Sequence, residues 1–193
     1  MDKVLKVIDS LTSDVLVKSI INSLNDNQEA SKNWLVDKSK NYIKAITDPK
    51  ILVLAGWYGN LASKLSDFSY QKPLSVDIDN NCRKIGRRLY EDVEFKTADV
   101  LRSGFRNNYL KKHNVIVCTS CEHFDAKDFK RMFNDIKKGS LVIFQSNNYF
   151  KIKEHVNCFY SYHDFAESLK FNLLWKGKLK LDKFTRFMAI GIK

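Results

Sequence analysis

Apolar positions change their spacing along the chain, and each change marks an element. Residues 3–24 carry Val4, Leu5, Ile8, Leu11, Val15, Leu16, Ile20 and Leu24. Steps of mostly three and four are those of an amphipathic helix. The stretch Leu11-Thr-Ser-Asp14 predicts a break into two helices. Asn25-Asp26-Asn27 reads as a turn, and Asp26 with Glu29 resembles a capping box opening a further helix. That helix places Trp34, Leu35, Tyr42, Ile43 and Ile46 on one side, and Asp48-Pro49 ends it. From Pro49 on, short aliphatic runs alternate with helical stretches. Strands are predicted at 50–55, 73–78, 93–97, 114–118 and 140–145, with helices at 60–67, 80–90, 106–112 and 125–136. Such alternation argues an α/β fold with a doubly wound, mostly parallel sheet. Residues 172–181 and 184–192 are two strand-like runs with a short link. They predict a hairpin and an antiparallel C-terminal strand. The expected organisation is a helical extension over 1–47 followed by one α/β domain over 48–193.

The first strand, Ile51-Leu-Val-Leu54, is continuously apolar and so buried on both faces. It opens into Ala55-Gly56-Trp57-Tyr58-Gly59-Asn60. Glycines there allow a sharp turn and close approach of a ligand to bare backbone. A helix follows, completing the strand–turn–helix recipe for a nucleotide-like ligand. The second strand ends in Asp77-Ile78-Asp79, with Asp77 21 residues after Gly56. An acid at that distance is placed to accept from ribose hydroxyls. The third strand ends in Asp99-Val100.

Three consecutive strand ends, together with the run Ser75-Val-Asp77-Ile-Asp79-Asn-Asn-Cys82 and the helical Arg83–Leu89, resemble the class I (Rossmann-like) S-adenosylmethionine (SAM)-dependent methyltransferases. The resemblance covers about residues 48–193 and implies SAM as cofactor. It assigns Gly56, Trp57, Tyr58, Gly59, Asp77, Ile78, Asp99, Val100 and Ser120 to cofactor binding. Asp77 would take the ribose and Asp99 the adenine amine. The chain departs from the family at the first motif. Leu54 and Ala55 stand where an acid is usual, and Tyr58 or Asn60 replaces a glycine. Contacts to the amino-acid end of SAM therefore fall to backbone and Tyr58.

The fourth strand opens into Thr119-Ser120-Cys121-Glu122-His123-Phe124, where the family faces its methyl acceptor. The family's Asp/Asn-Pro-Pro-aromatic motif of amino methylation is missing. Glu122 and His123 are the candidate catalytic residues, orienting the acceptor or removing its proton, since an imidazole titrates near neutral pH. Capping of the following helix, with Asp125, is the structural alternative. Methyl transfer from a sulfonium is an in-line displacement, so alignment matters most. Gln145, Asn147, Asn148 and Tyr149 at the fifth strand's tip, with Cys121, are the candidate acceptor-binding residues. Arg186 serves either as an inward charge for an anionic acceptor or as an edge-strand guard. One Cys118-x-x-Cys121 does not make a zinc site, even with His123, His155 and Cys158 at hand, so core packing is preferred and no metal is expected.

Composition refines this picture. Of 193 residues 44% are hydrophobic, which fits a globular chain, and the net charge is +11. Such charge makes a nucleic-acid acceptor possible. Lysine outnumbers arginine 26 to 7 without clustering, however, which fits biased composition equally. A small polar metabolite is the other acceptor class. No apolar run reaches the length of a membrane span. Met1-Asp2-Lys3 lacks a signal pattern and the cysteines form no disulfide framework, so a cytoplasmic enzyme without membrane partners is expected. Three other functions stay open. Aminocarboxypropyl transfer or SAM cleavage fits the altered first motif. A short-chain-type NAD(P) reductase fits Tyr149-x-x-x-Lys153, although that pair belongs on a long helix. A non-enzymatic basic nucleic-acid-binding module fits the charge.

Overall fold

The computed structural model describes residues 2–193; Met1, the first residue of the expected extension, lies outside them. The extension forms three helices, α1 (Asp2–Asp9), α2 (Asp14–Ser23) and α3 (Asp26–Lys44). The expected break falls at Ser10–Ser13, and the Ser13 side chain caps α2 by accepting from the Leu16 N–H. At α3 the expected capping box is not made. Asn25 is the cap, accepting from the Gln28 N–H at 2.9 Å. Glu29 is drawn instead to Asn60 at 2.8 Å and Lys64 at 2.9 Å. These are long-range partners that local spacing could not reveal.

The remaining elements follow in order: β1 (Ile51–Leu54), α4 (Asn60–Leu65), β2 (Leu74–Asp77), α5 (Asn80–Leu89), β3 (Glu94–Thr97) and α6 (Ser103–Phe105), which runs into a π-helical turn (Arg106–Leu110). Then come β4 (Val115–Cys118), a short 3₁₀ turn (Cys121–His123), α7 (Ala126–Asp135), β5 (Leu141–Asn147), α8 (Tyr162–Ser168), β6 (Asn172–Lys180) and β7 (Thr185–Ile192). Helix α8 lies outside the predicted set. Its signal is Ser161 with Asp164, whose N–H the serine oxygen accepts at 3.1 Å.

Seven strands form one sheet in the order β3-β2-β1-β4-β5-β7-β6. The first five are parallel, and β7 inserts antiparallel between β5 and β6. Alternation along each strand divides the core. Leu52, Leu54, Ile116, Cys118, Val142 and Phe144 face Phe105, Phe129, Met132, Phe133 and Phe165 of α6, α7 and α8. Val53, Val117, Ile143 and Met188 face Leu35 and Ile43 of α3 and Leu61, Ala62 and Leu65 of α4. A smaller cluster joins Val7 of α1, Ile20 of α2, Tyr58, and Cys82, Ile85 and Leu89 of α5. The extension thus covers the sheet through α3 and the glycine turn through α1 and α2. Strand order reverses at β1 and β4, which opens a crevice at their C-terminal ends.

Candidate active site

The crevice begins where β1 stops. Ala55, Trp57 and Gly59 all have positive φ, at 49°, 51° and 89°. For Ala55 and Trp57 that conformation costs about 1 kcal/mol or more each, so the turn must be held from outside. Three bonds hold it. The Gly56 N–H donates to Val76 O at 3.0 Å, the Trp57 N–H to Asp77 Oδ2 at 2.9 Å, and the Gly59 N–H to Gly56 O at 3.0 Å. The first two lace the turn to β2. Glycine is required at 59 twice over, because a Cβ there would lie 2.4 Å from the Phe95 ring.

Asp77 is only partly buried, and its Oδ1 accepts the Asp79 N–H at 3.1 Å. Ile78 beside it is exposed. Asp99 at the end of β3 caps its own turn, accepting the Leu101 N–H at 2.9 Å, and Arg102 stands 3.4 Å from its other oxygen. Ser120 is half-buried in the loop after β4. The glycine turn, Asp77, Asp99 and Ser120 therefore sit at the C-terminal ends of β1, β2, β3 and β4.

Four assignments from sequence are corrected. Tyr58 was expected to face the ligand with its side chain, yet it is 2% exposed under α1 and α2. Its hydroxyl donates to Ser19 Oγ at 3.0 Å, and the Trp57 indole N–H donates to the same oxygen at 3.3 Å. Both rings fasten α2 to the turn, which leaves backbone for a ligand. Val100 packs in the core between sheet and helices. Cys121 is fully buried, its Sγ 3.7 Å from Cys118 O, and burial pushes its thiol well above the usual range. It cannot line a pocket, and the C-x-x-C pair is core. Gln145 is also fully buried, because β5 runs on to Asn147 and holds it between β4 and β7. Its amide oxygen accepts from Ser31 of α3 at 3.0 Å, and its amide nitrogen lies 3.4 Å from Met188 Sδ.

The other end of the crevice is built around Glu122, 3% exposed. Its Oε1 accepts from Arg186 at 2.8 Å and from Asn147 Nδ2 at 2.7 Å, while its Oε2 has no partner within the chain. Arg186 also donates to Thr119 O at 3.1 Å. It lies on β7 inside the sheet, so the edge-guard alternative does not hold, and its charge is met by Glu122. Asn147 turns its own Oδ1 to the Tyr149 N–H at 2.8 Å. Asn148 accepts the Thr185 N–H at 2.7 Å, a bond that joins β5 to the hairpin.

His123 is exposed at the mouth, and residues 148–161 fold over the same end. The His123 ring meets the His155 ring edge to face, with centroids 4.7 Å apart. Asn157 anchors this segment, donating its N–H to Glu122 O at 3.0 Å and accepting from Ser146 Oγ at 3.0 Å. His155 and Asn157 escaped assignment because the segment has no periodicity. It also holds no helix, so Tyr149 and Lys153 lack the framework a reductase pair needs. Among the described residues, Glu122, His123 and His155 form a group with metal-type donors.

No protein-family model and no curated protein matches the sequence. Solved structures do. The N-methyltransferase NodS from Bradyrhizobium japonicum, in complex with S-adenosyl-L-homocysteine (SAH), aligns with a TM-score of 0.71 over 100% of this chain and 99% of its own, at 10% identity. A SAM-dependent methyltransferase from Clostridium acetobutylicum gives 0.64 over 92% and 96%, at 18% identity. Magnesium protoporphyrin IX methyltransferase from Synechocystis, with bound SAM, gives 0.62 over 100% and 90%, at 11% identity. The chain has the fold of the class I SAM-dependent methyltransferases.

Proposed function

We propose that the protein is a SAM-dependent methyltransferase acting on a polar acceptor that enters beside Glu122 and His123. The observation carrying this is the placement of the Asp77 carboxylate beside the glycine turn at the reversal point of the sheet. Each Asp77 oxygen accepts one backbone N–H. A carboxylate oxygen has two acceptor sites, so even with the Cys82 thiol beside it the group keeps acceptor capacity for a ribose hydroxyl. Asp99 keeps acceptor capacity toward the adenine amine in the same way. The amino-acid end of SAM lies against the backbone of Gly56 and Trp57. Glu122, held by Arg186 and Asn147, and the exposed His123 position the acceptor, with Asn148 and Tyr149 at the rim. The acceptor is nucleic acid or a small polar metabolite, and the net charge of +11 is compatible with a polyanion.

Calorimetric titration with SAM, SAH and NADPH tests the cofactor. Micromolar binding of the first two without the third is expected, and binding of NADPH alone would remove the proposal. Turnover of SAM with candidate acceptors then separates the chemistries. Formation of SAH marks methyl transfer, whereas formation of methylthioadenosine would mean aminocarboxypropyl transfer or SAM cleavage.

A further inference from the structure

Glu122, His123 and His155 come from two loops separated in sequence, yet one donor atom from each lies within 4.8 Å of the others. Both imidazoles are held alike. His123 Nδ1 lies 3.2 Å from Glu154 O, and His155 Nδ1 lies 2.9 Å from Tyr149 O. A carbonyl oxygen only accepts, so each Nδ1 carries a proton, and in the neutral imidazole Nε2 is the nitrogen with a lone pair. A backbone carbonyl on one ring nitrogen is the arrangement that orients metal-bound histidines. The third donor is independent of these bonds. Glu122 is buried and oriented by Arg186 and Asn147 through Oε1, and Oε2 is left without a partner. A buried carboxylate oxygen without a donor needs a partner from outside the chain, a water or a cation.

We propose that Glu122, His123 and His155 bind a divalent first-row transition cation of the zinc class. Two imidazoles and one carboxylate fit zinc and its neighbours, whereas calcium and magnesium require mostly oxygen. Bonds of about 2.0–2.1 Å put tetrahedral donors roughly 3.3 Å apart. The three groups must therefore close by an ångström or so, a movement that falls to the exposed His123 rather than to the buried Glu122. Three protein ligands leave a position open to solvent, as in reactive rather than structural sites. Arg186, 2.8 Å from Oε1, opposes a second cation and so weakens the site. Cys118 and Cys121 are buried in the core and take no part. The open position faces the mouth assigned to the acceptor; only this last step rests on the methyltransferase proposal.

The test uses the full chain, stripped with chelator and titrated with Co²⁺ as a spectroscopic probe, then displaced with Zn²⁺. One equivalent should bind with visible d–d absorption and without the near-ultraviolet band of a cobalt–thiolate bond. His123→Ala and His155→Ala, each checked for a native circular dichroism spectrum, should weaken binding by about a hundredfold or more. Cys158→Ser should leave binding unchanged. Equal binding by wild type and both histidine variants, a thiolate band, or no stoichiometric binding would overturn the site. SAH titration of the same samples keeps the two proposals apart. Co²⁺ binding without SAH binding supports the metal site while removing the methyl donor. SAH binding without Co²⁺ binding overturns the metal site alone.

Discussion

The Asp77 carboxylate has two duties, one toward the proposed ribose and one toward the chain itself. It takes the N–H of Trp57, a residue at φ 51° in a turn with two other positive-φ positions. Asp77→Ala therefore removes more than a ligand contact. Leaving that N–H unpaired in a strained turn should cost about 1–2 kcal/mol of stability, seen as a lower denaturation midpoint, together with loss of SAH binding by calorimetry. Asp77→Asn keeps a carbonyl acceptor for Trp57 and loses the charge. It should restore most of the stability while SAH still binds at least about tenfold more weakly, the loss of a charge-assisted bond. If Asp77→Ala binds SAH like the wild type, the ribose assignment falls. If its stability is unchanged, the turn is held without this bond.

Between elements, one aromatic ring sets how closely two helices reach the sheet. Phe95 on β3 fills the space left by Gly59 ahead of α4 and by Gly86 within α5, where an added Cβ would stand 2.4 Å and 2.3 Å from the ring. Alanine is the better helix former by about 1 kcal/mol, so Gly86→Ala would stabilise an isolated α5. Here the clash should win, and the variant should lose about 1–3 kcal/mol. In a Phe95→Leu background the same change should cost little or become favourable, a coupling read from a double-mutant cycle in denaturant. Equal cost in both backgrounds would show that Phe95 does not set the spacing. The same element scale separates what was legible in sequence. Strands β1, β4, β5 and the hairpin were readable because each encodes its own burial locally, in a continuous apolar run or a close pair of runs, whereas β2 (Leu74–Asp77) and β3 (Glu94–Thr97) mix apolar and polar positions and were readable from their place in the alternation of strands and helices. The glycine turn, Asp77 and Asp99 were readable because strand ends define them. Unreadable were features decided by distant partners. Ser19 claims Trp57 and Tyr58 across 38 and 39 residues. Pairing with β7 carries β5 two residues beyond its expected end and buries Gln145. The aperiodic segment 148–161 hides His155 and Asn157 until Glu122 and Ser146 fix it.

For the molecule as a whole, a net charge of +11 means that each buried cation is held against self-repulsion as well as desolvation. No helix among the described residues is long and apolar enough to cross a membrane. Lys32 meets the interior. Its ammonium is buried between α2 and α3 and donates to Ser23 O at 2.6 Å, the last residue of α2. Burial lowers its pKa from 10.5 to about 8, Glu29 works against that, and Lys64 and Arg186 add to it. The sign of the pH effect follows. Below pH 8 both the folded and the unfolded chain hold the proton, and folding bears the full cost of burying the charge. Between pH 8 and 10.5 the folded state has released it and the unfolded state has not, so the cost fades and stability rises with pH. Lys32→Met removes this dependence, although it also removes the bond to Ser23, so its absolute stability is a balance of two terms. The bond term does not vary with pH in its neutral-lysine limit, and groups elsewhere titrate alike in both proteins. The stability of the variant relative to wild type should therefore fall by about 2–3 kcal/mol between pH 7 and pH 10, measured by urea denaturation at each pH. A constant difference would mean that the Lys32 ammonium is solvated in the folded protein. The clasp between α2 and α3 would then be an exposed contact, and the lid over the glycine turn would be looser than its packing implies.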